Sequence, residues 1–188
     1  MSQQELLIRV VTVLEGAGIP YMVTGSTASS MQGNPRSTHD IDLVVQITPA
    51  DIPKVRAAFP PDDYAFDDVA AVEAIRRRDM FQLWHYKSGD KVDFWTLKPE
   101  PYDQSCFARR HRETVYGVGI FVSRPEDTIL QKLKWSVMCG GSEKQFNDVL
   151  GVYEIQYAKL DMAYIERWVD ALEVCDLWAR VQREAKPL

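Results

Sequence analysis

The strongest structural signal in the chain lies in residues 21–47, whose sequence is YMVTGSTASSMQGNPRSTHDIDLVVQI. Residues 21–24 form a short apolar run that ends at a Gly-Ser pair, which predicts a strand followed by a turn. The small and polar residues 27–32 are typical of a short helix packed close to that turn. Residues 40–47 predict a second strand, with alternate apolar side chains on one face.

Two carboxylates open the second predicted strand. Asp40 and Asp42 are two residues apart, and side chains alternate along a strand, so both project from the same side. Such a pair can share one divalent cation or bridge two, and Mg²⁺ prefers hard oxygen ligands together with substrate phosphates. Asp93 is the best candidate for a third carboxylate, because its neighbours Val92 and Phe94 are expected to face the core.

The turn after the first strand has the chemistry of an anion site. Gly25-Ser26 exposes backbone N–H groups and one hydroxyl at the start of a short helix, which suits a phosphate group. A lone Gly-Ser turn or a lone Asp-x-Asp pair is more often purely structural. The combination of a strand, a Gly-Ser turn, an arginine and a threonine, and then an Asp-x-Asp strand favours a functional site. Two metal ions at such a site can clamp the attacking and leaving oxygens of a phosphoryl displacement.

The remaining pattern predicts an α+β fold with a mixed β-sheet flanked by helices. Apolar spacing and turn signals predict helices over 3–15, 50–58 and 68–78, strands over 80–86 and 91–97, and a small hairpin over 115–122. Everything after Pro125 is predicted to be helical, with Asp161 as a helix N-cap. We therefore expect a core domain over residues 1–124 and a C-terminal helical subdomain over 125–188.

Composition limits the classes of protein to consider. The chain has 188 residues, a net charge of −5 and three cysteines, which argues against a generally basic nucleic-acid coat protein and against a disulfide framework. Cys139 and Cys175 fall at apolar helix positions and are expected in the core. There is no basic region before an apolar run at the N-terminus and no apolar stretch near the ~20 residues that span a bilayer. We expect a cytoplasmic protein with no membrane partner.

The motif residues resemble a known superfamily. The pattern that carries the likeness is Gly25-Ser26-x-Ala28 followed by Gly33-x-x-Arg36-x-Thr38-x-Asp40-Ile41-Asp42-Leu43. It is similar to the signature of the DNA polymerase beta-type nucleotidyltransferases, and most similar to the AbiEii-like minimal members, many of which are toxins of bacterial toxin–antitoxin systems. A second stretch resembles the helical motif of that family: Pro125-Glu126-Asp127, Lys132-Leu133, Lys144 and Asp148.

The resemblance implies a nucleotidyltransferase fold and the transfer of a nucleoside monophosphate from an NTP to an acceptor. It implies Mg²⁺ as cofactor, as two ions, with Mn²⁺ as the alternative. Asp40, Asp42 and Asp93 are the implied metal ligands and, with Lys132, the implied catalytic residues, Asp93 serving as base or as third ligand. The implied nucleotide-binding residues are Gly25, Ser26, Arg36, Thr38, Lys132 and Asp148.

Several alternatives stay open at this stage. Lys132 and Lys134 compete for the phosphate-binding role because they face different sides of one helix; Lys132 is preferred. The acceptor is RNA or tRNA, a protein or a small molecule, and an antitoxin is a further implied partner. A degenerate transferase fold that acts as a binding module is the alternative function. A close-packed carboxylate trio would favour the enzyme, and an ion-paired Asp40/Asp42 would favour the module.

Other side chains offer weaker candidates. The three histidines match no zinc spacing. Two basic clusters, 76–78 and 109–112, would hold the phosphates of an RNA acceptor if they flanked the carboxylates. Trp84, Tyr86 and Trp95 are expected in the core or at its rim.

Overall fold

The computed structural model describes residues 1–187, which form two compact units. The first unit consists of residues 1–24 and 38–122, and the second consists of residues 25–37 and the chain from Ser123 onward. Residues 25–37 thus belong to the second unit, whereas the predicted core domain over 1–124 includes them. The domain division over 1–124 and 125–188 stays a prediction.

Most element bounds agree with the sequence pattern, but the hairpin predicted over 115–122 spans residues 111–122. The strands are β1 (Tyr21–Thr24), β2 (Asp40–Val45), β3 (Tyr64–Phe66), β4 (Met80–His85), β5 (Lys91–Thr96), β6 (His111–Val115) and β7 (Val118–Val122). The helices are α1 (Gln3–Gly16), α2 (Gly25–Gln32), α3 (Ile52–Ala58), α4 (Asp68–Arg77), α5 (Pro101–Arg109), α6 (Pro125–Met138), α7 (Glu143–Gln156), α8 (Met162–Ala171) and α9 (Cys175–Glu184).

All seven strands belong to one mixed sheet in the first unit, in the order β3-β4-β5-β2-β1-β7-β6. The pairs β2/β5 and β1/β7 are parallel, and the other neighbours are antiparallel. Leu43 on β2 and Phe94 on β5 are register partners, and both are fully buried on one face of the central strands. The α+β prediction with a mixed sheet is confirmed.

The first unit begins with a helix whose ends are set by its sequence. Ser2 and Glu5 form a reciprocal capping box at the start of α1, which satisfies two backbone donors that would otherwise have no partner. The buried face of α1 is apolar and has helical spacing: Leu6, Leu7, Val10, Val11 and Leu14. Burial of this face is the main force that holds a helix of this length in place.

The second unit packs α2 against α7 by way of a glycine. A Cβ added to Gly33 would lie 2.7 Å from the backbone nitrogen of Val152, so a side chain at position 33 would collide with backbone. Asp161 caps α8, as predicted, by accepting a hydrogen bond from the backbone N–H of Tyr164. The predicted run of helices after Pro125 is confirmed as α6 to α9.

Three features differ from the sequence analysis. β3 and α5 were not predicted. Cys139 and Cys175 are exposed, which contradicts the expectation that they lie in the core; Cys139 follows the last residue of α6 and Cys175 is the first residue of α9. A residue at the end of a helix can face water even when its position continues the apolar stripe of that helix. Across residues 1–187, every helix is too short or too polar to span a membrane.

Candidate functional site

Three carboxylates project from one face of the sheet where β2 and β5 meet. The strands are parallel, and Asp42 is the register partner of Asp93. Register partners share a face, as do residues two apart on one strand, so Asp40 projects from the same side. We call Asp40, Asp42 and Asp93 the acidic row. The structure places on one face the three residues that the sequence analysis proposes as metal ligands.

Asp93 is held from both sides. Gln82 on β4 donates its Nε2 to Asp93 Oδ1 at 2.9 Å, and Lys91 donates its Nζ to Asp93 Oδ2 at 2.8 Å. The Asp93 side chain is 9% exposed. Buried carboxylates need partners of this kind, because an unpaired charge in the protein interior is costly. In this state both oxygens of Asp93 are occupied by partners from the protein.

Lys91 also reaches a second member of the acidic row. Its Nζ lies 3.5 Å from Asp40 Oδ1, so one ammonium group contacts both Asp40 and Asp93. Burial acts to lower the pKa of Lys91, but the hydrogen bond and charge of Asp93, with a smaller contribution from Asp40, outweigh it and hold that pKa above its ordinary value. Lys91 is therefore a fixed positive charge within the acidic row.

Asp42 and Asp40 differ from Asp93 in their surroundings. Trp95 donates its indole N–H to Asp42 Oδ1 at 3.4 Å, and Asp42 is half-buried. The Asp40 side chain is 48% exposed. The acidic row therefore runs from an accessible carboxylate to a buried one.

The donor set fits Mg²⁺ in its chemistry. All three candidate ligands are carboxylates, the ligand type that hard divalent cations prefer. As the side chains stand, residues 1–187 contain no group of three or more His, Cys, Asp or Glu side chains able to hold a metal ion. Within the acidic row, Lys91 Nζ contacts one oxygen of Asp40 and one of Asp93.

A groove of about 790 Å³ lies beside Asp93 on the first unit. Its lining includes Phe66, Asp67, Met80, Gln82, Trp84 and Tyr86. Gln82 connects the groove to the acidic row, because it accepts a hydrogen bond from Trp84 and donates one to Asp93. Trp84 and Tyr86 are 42% and 59% exposed, so they lie at the rim rather than in the core. The volume is typical of small-molecule sites.

A second cluster of predicted residues lies in the second unit, around Asp148 on α7. Arg36 binds both oxygens of Asp148 at 2.8 and 2.9 Å, and Lys132 on α6 binds Oδ2 at 2.7 Å. Ser26 Oγ accepts hydrogen bonds from Arg36 and from Lys132, the latter at 3.4 Å. We call Ser26, Arg36, Lys132 and Asp148 the Asp148 cluster. It brings together four of the six residues predicted to bind nucleotide.

The Asp148 cluster carries two cations and one carboxylate. The Lys132 and Asp148 side chains are 5% and 8% exposed. Burial acts to raise the pKa of Asp148, but its hydrogen bonds to Arg36 and Lys132 and their charges outweigh this and hold the pKa below its ordinary value. The net positive charge lies beside Ser26, in the first turn of α2. Helix N-termini and paired cations are the usual protein partners of phosphate.

The lowered pKa of Asp148 predicts a pH-dependent contribution to stability. A carboxyl whose pKa falls on folding stabilises the protein above its unfolded-state pKa, here near 3.8, and loses that contribution as pH falls through the lower folded-state pKa. We expect the difference in free energy of unfolding between wild type and Asp148→Asn to be constant from about pH 8 to about pH 5 and to shrink below that. Urea unfolding at a series of pH values measures it, and an equal difference at pH 3 and pH 7 would contradict the assignment.

The other predicted residues have different contacts. Gly25 begins α2 with a φ of 62°, a backbone conformation that glycine adopts without strain. Thr38 Oγ1 accepts a hydrogen bond from the backbone N–H of Asp40 at 3.2 Å, so it positions the start of β2. Lys132 makes the contacts with Ser26 and Asp148, which favours it over Lys134. The role of each in nucleotide binding stays a prediction.

Sequence reasoning missed Lys91 and Gln82. Lys91 stands two residues before Asp93, so the strand period already places both on one face. Gln82 is the register partner of Asp93 across the β4/β5 hairpin. That register follows from the position of the Ser88-Gly89-Asp90 turn once the hairpin is recognised.

The weaker candidates have local partners instead. Each histidine lies beside a neighbour of its own: His39 beside Asp90, His85 beside Ser88 and His111 beside Glu113. In the basic clusters, Arg77 pairs with Glu73 on the same helix, and Arg110 stacks on Phe107 with its guanidinium carbon 4.1 Å from the ring centre.

Several solved structures with a similar fold are nucleotidyltransferases or are described as similar to nucleotidyltransferases. The solution structure of the antibiotic-resistance factor ANT(2'')-Ia matches with a TM-score of 0.58 and 12% identity over 96% of this chain and 95% of that one. A crystal structure of the same protein contains adenylyl-2''-tobramycin. An antigenic nucleotidyltransferase-like protein from Paracoccidioides brasiliensis matches with a TM-score of 0.54 and 15% identity over 98% and 94% of the two chains.

A third similar protein is the lincosamide antibiotic adenylyltransferase LnuA, whose structure bound to lincomycin matches with a TM-score of 0.54 and 12% identity over 82% of this chain and 98% of that one. Neither a protein-family profile nor a curated protein matches the sequence. At these identities the likeness establishes the fold. The chain has a nucleotidyltransferase fold, as the resemblance of its motif implied.

Proposed function

We propose that this protein is a nucleotidyltransferase that moves a nucleoside monophosphate from an NTP to a hydroxyl group of an acceptor. The observation that carries the proposal is the register that pairs Asp42 with Asp93 on parallel strands of a nucleotidyltransferase fold. The Asp148 cluster supports it with two cations beside a serine at a helix N-terminus.

The proposed step is an in-line displacement at phosphorus. The acceptor oxygen forms a bond to the α-phosphorus while the bond from that phosphorus to the oxygen of the β-phosphate breaks. Pyrophosphate leaves with the electron pair of the broken bond, and the hydroxyl proton passes to the Asp93 carboxylate. Ser26, Arg36 and Lys132 bind the triphosphate and neutralise its charge, which is most of what a protein contributes to phosphoryl transfer.

Asp40, Asp42 and Asp93 are the residues proposed to hold Mg²⁺, with two ions as the expected number and Mn²⁺ as a substitute. When bound, the cation would supply positive charge next to the transferred phosphoryl group. The carboxylates fit this role because hard divalent cations prefer oxygen ligands.

A small hydroxyl-bearing molecule is the acceptor that we favour. The groove beside Asp93 has the size of a small-molecule site and exposes Trp84 and Tyr86. Arg56, the basic residue in its lining, is already within 3.5 Å of Asp68, so the groove offers little charge for a polyanion. RNA and protein are the alternative acceptors, and the labelling experiment includes both.

The test is transfer of label from the α-phosphate. The purified chain is incubated with Mg²⁺ or Mn²⁺ and with each NTP labelled at the α- or the γ-phosphorus. Acceptors are total RNA, total protein, and hydroxyl-bearing antibiotics such as tobramycin and lincomycin. We expect label from the α-position, not the γ-position, to appear on one acceptor class. Failure of every NTP to label any acceptor would contradict the proposal.

The second candidate function is a binding module that acts on a protein partner, such as an antitoxin. The ion pair of Asp40 with Lys91 is the observation that favours it, because a resting acidic row neutralised by lysine needs no metal. Induced expression separates the two functions. Growth inhibition cured by Asp42→Ala would support a toxin enzyme, whereas inhibition that survives this change would support the module.

A further inference from the structure

We infer that Lys91 is a resident counter-ion of the acidic row, which a divalent cation must displace from Asp93 in order to bind there. The inference rests on the proposed function and deepens it by naming a residue that controls access to the metal site. Lys91 is thereby a positioning residue: it sets the state of the carboxylates and makes no proposed contact with substrate.

The geometry leaves no unoccupied oxygen on Asp93. Lys91 Nζ is 2.8 Å from Asp93 Oδ2, and Gln82 Nε2 is 2.9 Å from Asp93 Oδ1. A divalent ion bound to a carboxylate oxygen approaches it to about 2.0–2.6 Å. An ammonium group at hydrogen-bond distance from the same oxygen would then lie close to the ion and be repelled by it. Of the two partners, the charged one has to move.

Lys91 has both the freedom and a place to move. Its side chain is a flexible four-carbon stem, and it is the first residue of β5. The ring of Trp84, its register partner on β4, lies 5.8 Å from Nζ. An exposed indole face attracts cations, so it offers the displaced ammonium a second position next to the first.

Without the lysine, Asp40 and Asp93 would face each other as uncompensated carboxylates. Like charges at short distance repel, and a divalent cation relieves that repulsion. Removal of the lysine charge should therefore strengthen cation binding and weaken the metal-free fold. A lysine that only orients Asp93 for the metal would have the opposite effect on binding when removed.

The experiment measures the affinity for Mn²⁺ on the full chain without nucleotide, from the electron paramagnetic resonance signal of free Mn²⁺. Lys91→Met is expected to bind Mn²⁺ at least tenfold more tightly, while Lys91→Arg, which keeps the charge, should stay within threefold of wild type. Lys87→Met is the matched control. Lys87 lies in the turn of the same β4/β5 hairpin, and its only role in this comparison is an exposed pair with Asp63 at 3.0 Å. Unchanged or weaker binding by Lys91→Met would overturn the inference.

A second measurement uses the wild-type chain and does not depend on the folding of a variant. In ¹⁵N spectra of lysine ammonium groups, the signal of Lys91 is expected to shift when Mg²⁺ is added, and that of Lys87 is expected to stay in place. An unmoved Lys91 signal at saturating Mg²⁺ would overturn this inference and would leave the proposed function standing. Absence of Mn²⁺ binding by both wild type and Lys91→Met would overturn the metal site itself and with it the proposed function.

Discussion

Asp42→Asn is expected to reduce nucleotidyl transfer by at least about 10²–10³-fold, the usual loss when one preorganised electrostatic group of an active site is removed. Asparagine keeps an oxygen for the indole N–H of Trp95, which lies 3.4 Å from Asp42 Oδ1, so the strand should stay in place. What is lost is the negative charge opposite Asp93. We expect kcat to fall and the KM for the NTP to change much less.

The control for this prediction is Asp63→Asn. The Asp63 side chain is 41% exposed and pairs with Lys87 at 3.0 Å, away from the proposed machinery. Asp63→Asn therefore removes one carboxylate charge from the same unit without touching the acidic row. Initial rates of α-label transfer, with circular dichroism as a check on folding, measure both variants. A folded Asp42→Asn protein that works within threefold of wild type would show that Asp42 is not a catalytic ligand.

Asp148→Ala is expected to lower the free energy of unfolding by about 3–5 kcal/mol, because it leaves the buried ammonium of Lys132 and the half-buried guanidinium of Arg36 without their carboxylate. Lys132 is 5% exposed and contacts Asp148 at 2.7 Å, and Arg36 shares the same carboxylate. The two cations would then repel each other around Ser26. For a chain of this size the loss corresponds to a fall in Tm of about 6–20 °C.

Thermal and urea unfolding measure this loss, and Asp63→Ala is the matched control. The Asp63–Lys87 pair is exposed, so its loss should leave stability nearly unchanged. Phosphate or an NTP should raise the Tm of Asp148→Ala, since an anion can replace the missing charge between the two cations. Equal stability of Asp148→Ala and Asp63→Ala would contradict the central position of Asp148 in the cluster.

The acidic row was largely predictable because it depends on local rules. The period of a strand puts Asp40 and Asp42 on one face, and Val92 and Phe94 turn Asp93 away from the core. That β5 rather than another strand lies beside β2 is a matter of topology, which no local pattern of residues fixes. Lys91 was overlooked although the same period places it beside Asp93.

The Asp148 cluster was predictable only through the resemblance. Arg36 and Asp148 are 112 residues apart in the chain, and no local pattern links them. Their ion pair arises because α2 packs against α7, which the absence of a side chain at Gly33 allows. Contacts of this kind depend on packing between helices, and packing leaves no periodic signal in sequence.

The elements that sequence reasoning missed are weak by the same physical criteria. β3 has three residues, too few to show an alternating pattern. The buried residues of α5 are Tyr102, Cys106 and Phe107, a single short stripe in a polar segment. Cys139 and Cys175 show the opposite error, since the apolar period of a helix says nothing of the side chains at its ends.

The most direct test of the proposed chemistry is the position of Mn²⁺ in crystals grown with Mn²⁺ and an NTP analogue that cannot be cleaved. Anomalous scattering locates the ion independently of the protein coordinates. The proposal predicts an anomalous peak within about 2.0–2.6 Å of carboxylate oxygens of Asp42 and Asp93, with the triphosphate on Ser26 and Lys132 and with Lys91 withdrawn from Asp93. A bound analogue whose metal lies elsewhere, while Lys91 still holds Asp93, would contradict it.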